Sequence, residues 1–216
     1  MRTGRAAIRA RQTGAGVRPV SLWGICAALL FFAAWAPAAP GTDLEAAVTG
    51  LERRYAGVQT IAGEFRQTYR APGIEQEESG VFRMKRPGLM RWEYRRPEEK
   101  MFIADGQDAF LYVPADRQVT VRAFRASDMR GTPLELLLGS ADLRKSFAVS
   151  WERNFKPAEA ESLHLRLIPR GGGEYEFLVL ELDPRTFDVR RIVIHEPGGN
   201  TSEFVLSNLV RNAKID

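Results

Sequence analysis

The chain has 216 residues, 44% of them hydrophobic, and carries 31 Lys and Arg against 27 Asp and Glu, a formal charge of +4. That length suits one domain plus a removable leader. Residues 1–38 hold five of the arginines and no acid, and without them 26 basic side chains face 27 acidic ones. The remaining domain has no basic excess to support nucleic-acid binding.

The leader is read first. Arg2, Arg5, Arg9, Arg11 and Arg18 form a basic region, the run from Ser21 to Trp35 is apolar, and small residues surround Ala36, Pro37 and Ala38. This order describes a secretory signal peptide, with cleavage expected after Ala38 and a single domain over residues 39–216. A membrane anchor is the alternative, but the apolar run falls short of the roughly 20 residues a spanning helix needs. Cys26, the chain's one cysteine, follows Trp23, Gly24 and Ile25, whereas a lipidation site calls for small residues there. Its removal with the leader would leave a domain without a thiol, and so without a disulfide or a thiolate site.

Residues 42–57 predict a helix. Thr42 and Glu45 fit a capping pair, Leu44, Ala47, Val48, Leu51 and Tyr55 recur at helical spacing, and Gly57 fits the stop. From Ile61 the period becomes two, predicting strands at 61–70, 77–86, 89–96, 100–105, 108–114 and 117–124. Thr132 as N-cap, Pro133 at the first helical position, Glu135 and a stop at Gly139 predict a short helix, and residues 140–145 add a further turn. Strands resume at 146–153, 161–169, 174–183, 186–196 and 201–210, separated by Gly, Pro and Asp turns. About eleven antiparallel strands with an N-terminal and an inserted helix predict a mainly β, α+β fold curled on itself. Met90/Trp92/Tyr94, Val119/Val121 and Leu163/Leu165/Leu167 put bulky apolar groups on one face of their strands. Periodicity alone leaves open whether the enclosed space is a packed core or an apolar chamber lidded by the helices.

Chemistry of the catalytic kind has no constellation in the sequence. His164 and His195 lie on predicted strands without ligand partners at metal spacing, and there is no G-x-S-x-G elbow. No catalytic residue, metal or cofactor is expected.

A string of motifs runs through the domain: Phe65-x-Gln67, GVFRMKRPGLMRWEY over 80–94, PEE over 97–99, ADG over 104–106, LYVP over 111–114, Thr132-Pro133 with Leu136 and Leu137, Phe147, and GNT over 199–201. In combination they resemble the periplasmic lipoprotein carrier family LolA, from about residue 43 to the C-terminus. The resemblance implies an unclosed β-barrel whose helical lid covers a cavity for the acyl chains of outer-membrane lipoproteins. It implies a non-enzymatic, monomeric periplasmic carrier that receives acylated lipoproteins from the inner-membrane ABC transporter LolCDE. Delivery is to the outer-membrane receptor LolB or directly to the outer membrane. An RseB-like lipoprotein sensor and a LolB-like receptor are the alternatives of related fold.

Carried over residue by residue, the family's latch arginine falls on Arg86, binding lid carbonyls near Tyr55, Leu137 and Leu138. Met90, Trp92, Tyr94, Phe102 and Leu134 would line the acyl-chain cavity, and Pro87, Asp105, Gly106 and Pro133 would set the turns. Without the motif, Arg86 reads as an exposed residue ending a strand before Pro87. Two departures stand out: Met90 replaces a common phenylalanine, and the sequence ends at NAKID where many members continue into F-x-F-x-x-P. The second leaves open either a truncated sequence or a barrel with one strand fewer.

Overall fold

The computed structural model describes residues 43–125, 128, 133–138, 142–157, 161–172 and 175–215. The expected leader, Cys26, Thr42, Thr132 and Gly139 lie outside them.

Helix α1, Leu44–Tyr55, buries Ala47, Val48, Leu51 and Tyr55, the stripe that its spacing predicted. Each large apolar side chain taken from water there contributes about 1.5–3 kcal/mol. Its start differs from the expected capping box. Asp43 stands at the N-cap without a side-chain cap bond, and the Glu45 carboxylate pairs with Arg144. The helix stops at Ala56, and Gly57 continues at φ +76°, a conformation glycine adopts without a Cβ clash.

Six strands follow: β1 Thr60–Ala71, β2 Ile74–Lys85, β3 Leu89–Arg96, β4 Lys100–Asp105, β5 Asp108–Val113 and β6 Gln118–Ala123. The inserted segment supplies α2, Pro133–Leu137, and α3, Leu143–Ser146, whose N-cap Asp142 accepts from the Lys145 amide. Five strands complete the chain: β7 Phe147–Trp151, β8 Leu163–Pro169, β9 Phe177–Leu182, β10 Val189–His195 and β11 Thr201–Arg211.

All eleven belong to one antiparallel sheet, ordered β6-β5-β4-β3-β2-β1-β11-β10-β9-β8-β7. The sheet is two meanders joined where β1 pairs with β11, and it is unclosed, with β6 and β7 as its outer edges. The connection from β6 to β7 carries α2 and α3. Buried residues of all three helices share one hydrophobic core with the strands, so the helices cover a single, inner face.

Register shows which residues share that face. One row crosses Phe82, Trp92, Phe102 and Leu111, and a second crosses Met84, Met90, Ala104 and Ala109. In the other meander Leu165 faces Leu180, then Ile192 and Phe204. Val119 and Val121 do not join this face. Val121 opposes Phe110, Ile103 and Arg91 in turn, while Val119 opposes Tyr112, Met101 and Glu93. Both valines are therefore on the outer face and are 52% and 55% exposed. Alternation along a strand identifies two faces but not which is inward, because that depends on register with neighbours.

Candidate functional site

The inner wall centres on an aromatic cluster. Trp92 stacks on Phe82 with centroids 4.8 Å apart and meets Phe65 edge-on at 4.8 Å. Phe65 also meets Tyr94 edge-on at 4.9 Å, and Phe204 approaches Trp92 at 6.0 Å. Edge-to-face and offset pairs are the favoured geometries of ring quadrupoles. Met90 and Trp92 are buried, while Tyr94, Phe102 and Leu134 are partly buried against the same cluster. All five residues expected to line a cavity thus lie in or against one hydrophobic core, Leu134 from helix α2 and the other four from β3 and β4.

One end of the wall is polar. The Tyr94 hydroxyl donates to Gln67 Oε1 at 3.0 Å, and the Lys100 ammonium lies 4.4 Å from the Tyr94 ring centre while binding Glu78 at 2.6 Å. Burial pushes the Tyr94 phenol up to about 12, so it remains a neutral donor.

Arg86 follows β2 and sits where the sheet meets the lid. Its Nε donates to the carbonyl of Leu138 at 2.5 Å. Leu138 is the residue after α2, and its own amide donates to Leu134 at 3.2 Å. The last carbonyls of a helix have no partner within it, and a guanidinium from the sheet satisfies this one. The Arg86 backbone is held separately, its amide donating to Gln59 O at 2.9 Å. Nη2 of Arg86 is buried and has no hydrogen-bond partner among the described residues. The guanidinium is therefore desolvated but only partly compensated.

The other two lid positions are arranged differently. The carbonyl of Tyr55 accepts from Val58 at 3.1 Å, and its buried hydroxyl accepts from the Val189 amide at 3.1 Å. Burial raises that phenol to about 12. Leu137 is buried, and no Arg86 bond reaches its carbonyl or that of Tyr55 among the described residues.

The turns have clear local causes. Arg86–Pro87 is a cis peptide. Asp105 Oδ1 accepts from the amides of Gln107 at 2.9 Å and Asp108 at 2.8 Å, and Gly106 between them has φ +94°. Those backbone bonds hold the Asp105 carboxyl below its ordinary range. Pro133 opens α2.

Several structural contributors carry no local sequence signal. Asp188, in the turn between β9 and β10, accepts two bonds from Arg54 and one from Arg211. The Glu52 carboxylate receives the amide of Leu143, tying α1 to α3 at 3.0 Å. Gly80 could have been found, since a glycine inside a strand signals a bulge or a close backbone approach.

The histidines are placed for packing. His195 stacks on Phe177 at 4.1 Å, and His164 Nε2 lies 3.9 Å from Glu181. Burial lowers both imidazoles below their ordinary value. Among the described residues no group of three or more His, Cys, Asp or Glu is disposed to hold a metal ion, and no helix is long and apolar enough to cross a membrane.

Residues 56–216 match the family model described as outer membrane lipoprotein carrier protein LolA. An outer-membrane lipoprotein carrier protein from Cupriavidus pinatubonensis is 33% identical over 88% of this chain and 82% of its own. Its counterpart from Bordetella pertussis is 32% identical over 86% of this chain and 87% of its own. Among solved structures, a LolA superfamily protein from Nitrosomonas europaea is 11% identical, with a TM-score of 0.42 over 82% of this chain and 96% of that one.

Proposed function

Since the chain belongs to the outer membrane lipoprotein carrier family LolA, we propose that it carries acylated lipoproteins between membranes, taking their acyl chains against the wall of Met90, Trp92, Tyr94 and Phe102. In this reading residues 1–38 are an export signal and the domain works in the periplasm. It is loaded by an inner-membrane ABC transporter of the LolCDE type, and a LolB-type receptor or the outer membrane itself accepts the cargo.

Transfer energetics make a carrier necessary. Each acyl CH2 exposed to water costs about 0.8 kcal/mol, so two or three long chains amount to tens of kcal/mol. An apolar wall that shields them removes most of that barrier. Met90 gives the wall adaptability, because an unbranched thioether repacks around chains of different shape.

The observation that supports this reading best is the bond from Arg86 to Leu138. It joins the sheet to the lid across the edge of the aromatic wall. Cargo entering the interior must move α2 and break this bond, so the closed form competes with the loaded one. Competition lowers apparent affinity by the fraction of molecules that stay closed, which favours release without a nucleotide. A latch with an unsatisfied Nη2 is poised for that exchange, since its closed form is already under-compensated.

The test is extraction from vesicles containing acylated and unacylated forms of one lipoprotein. The acylated form should leave in a soluble one-to-one complex and the unacylated form should not. Arg86→Leu should retain the cargo longer during transfer to acceptor vesicles. Equal extraction of both forms would overturn the reading.

A further inference from the structure

The outer face of β1, β2 and β3 holds a groove of about 490 Å³ that no part of the carrier mechanism uses. It is lined by Glu64, Arg66, Ser79, Val81, Arg95, Arg96 and Ser207, among others. We propose that this groove binds a phosphate-bearing group, independently of the acyl-chain wall on the opposite face.

Strand geometry separates the two sites. Phe65 is buried in the inner aromatic cluster, so its neighbour Arg66 points outward. Register then runs Val205, Arg66, Ser79 and Arg96 straight across β11, β1, β2 and β3. Arg66 and Arg96 thus flank Ser79 from either side, their strands roughly 10 Å apart.

A bulge adds a third guanidinium. Gly80 pairs with Tyr94 while Ser79 pairs with Arg96, so Arg95 is the extra residue of β3. A bulge turns the side chains of consecutive residues toward the same side, and here both Arg95 and Arg96 line the groove. The distortion depends on glycine, because a Cβ on Gly80 would lie 1.9 Å from the carbonyl oxygen of Glu93. A second irregularity between Ala62 and Glu64 shifts β1 against β11 at the other margin.

The charges in this cradle are not internally balanced. Arg66 and Arg96 have no carboxylate within ion-pair distance among the described residues, and Arg95 reaches Glu93 only at 3.9 Å. Glu93 is already committed to Arg91 at 2.6 Å and Arg83 at 3.0 Å. The groove's own acid, Glu64, accepts from Asn208 at 3.0 Å. Arg66 and Arg96, a strand apart across Ser79, and the adjacent Arg95 repel one another through space, and an anion seated among them relieves that repulsion. Guanidinium forks bind phosphoryl oxygens through paired charge-assisted bonds, and the hydroxyls of Ser79 and Ser207 add donors of the right type. Three guanidinium groups reaching from two sides suit the several oxygens of a phosphoryl group better than the two of a carboxylate. The source is either a lipid headgroup or a soluble phosphate compound.

The experiment has three arms. Inorganic phosphate is titrated into the mature protein at constant ionic strength while backbone amide resonances are followed. Saturable shifts at Ser79, Gly80, Val81, Val205 and Ser207, with the Trp92 indole unmoved, are expected. The combined variant Arg66→Gln, Arg95→Gln, Arg96→Gln should bind phosphate at least ~10-fold more weakly, the size of losing one charge-assisted bond. Its melting temperature without phosphate should equal or exceed that of the parent, which also reports that it folds. In the second arm, cosedimentation with phosphatidylglycerol vesicles that the variant loses identifies a lipid headgroup. In the third, glycerol phosphate binding without cosedimentation identifies a soluble source. Non-saturating shifts, equal phosphate binding by the variant, or tighter binding of an oligoglutamate peptide than of phosphate would overturn the proposal.

Discussion

Asp188 grips Arg54 with both carboxylate oxygens, at 2.8 and 2.7 Å, and takes a third bond at 2.5 Å from Arg211. One side chain thereby joins the end of α1, the start of β10 and the last strand. Burial alone would raise the Asp188 carboxyl, but the Arg54 bonds and the Arg211 charge hold it below its ordinary value. Asp188→Asn keeps the shape and removes the charge. It should cost about 1–2 kcal/mol, lowering the melting temperature by roughly 2–8 °C in a domain of this size. Calorimetry checks this, and an unchanged transition would show that the junction contributes nothing.

Trp92 is the hub of the inner wall, touching Phe82, Phe65 and Phe204. Trp92→Ala should destabilise the protein by about 3–5 kcal/mol, since an aromatic removed from packed surroundings leaves a void. Leu111 occupies the same row but is 37% exposed. Leu111→Ala should cost below about 1.5 kcal/mol because less area is lost from the interior. Urea titrations of both variants measure the contrast, and equal losses would deny Trp92 its central place.

Gly80 and Gly171 make opposite predictions for the same substitution. A Cβ at Gly80 meets the Glu93 carbonyl at 1.9 Å, whereas one at Gly171 meets nothing within 4 Å. Gly80→Ala should push β2 and β3 apart or change their register, costing more than about 2 kcal/mol. Gly171→Ala should stay within about 0.5 kcal/mol of the parent. Amide exchange at Tyr94 would report the local opening.

Stability should fall on mild acidification. Burial depresses the imidazoles of His164 and His195, with Arg191 acting the same way on the first and Arg166 on the second. Each native site prefers the neutral ring, so its stabilisation is complete above the unfolded value near 6.5 and is lost as pH falls toward the folded one. Melting temperature should therefore drop between pH 7 and pH 5. The doubly substituted His164→Gln, His195→Gln protein should show a flatter profile. Asp188 loses its contribution only below its ordinary 3.8, outside that window.

Local sequence signals reached some features and missed others for definable reasons. The strand Leu89–Arg96 is legible to the residue because Met90, Trp92 and Tyr94 alternate with charges and Pro87 and Pro97 bound it. Met90 and Trp92 are also buried on the inner face, since a run so apolar on one side has to be covered. The facing of Val119 and Val121 is not legible, because it is inherited through register from residues 7 to 30 positions away. The junction at Asp188 spans 134 residues to Arg54 and leaves no periodic trace. The charged cradle on the outer face depends on one unpaired residue, Arg95, whose extra place in the ladder emerges only when β2 and β3 are aligned.

The seam between β1 and β11 has a consequence for the making of the protein. It is closed further by Gln59, whose amide donates to the Asn212 side chain across 153 positions of sequence. Ten strands can emerge from a ribosome while the middle of the sheet still waits for its final member. Contacts so distant form late and carry a large entropic toll. Arrival of β11 therefore acts as a timer, keeping the nascent chain pliable and locking its interior only once residue 211 is in place.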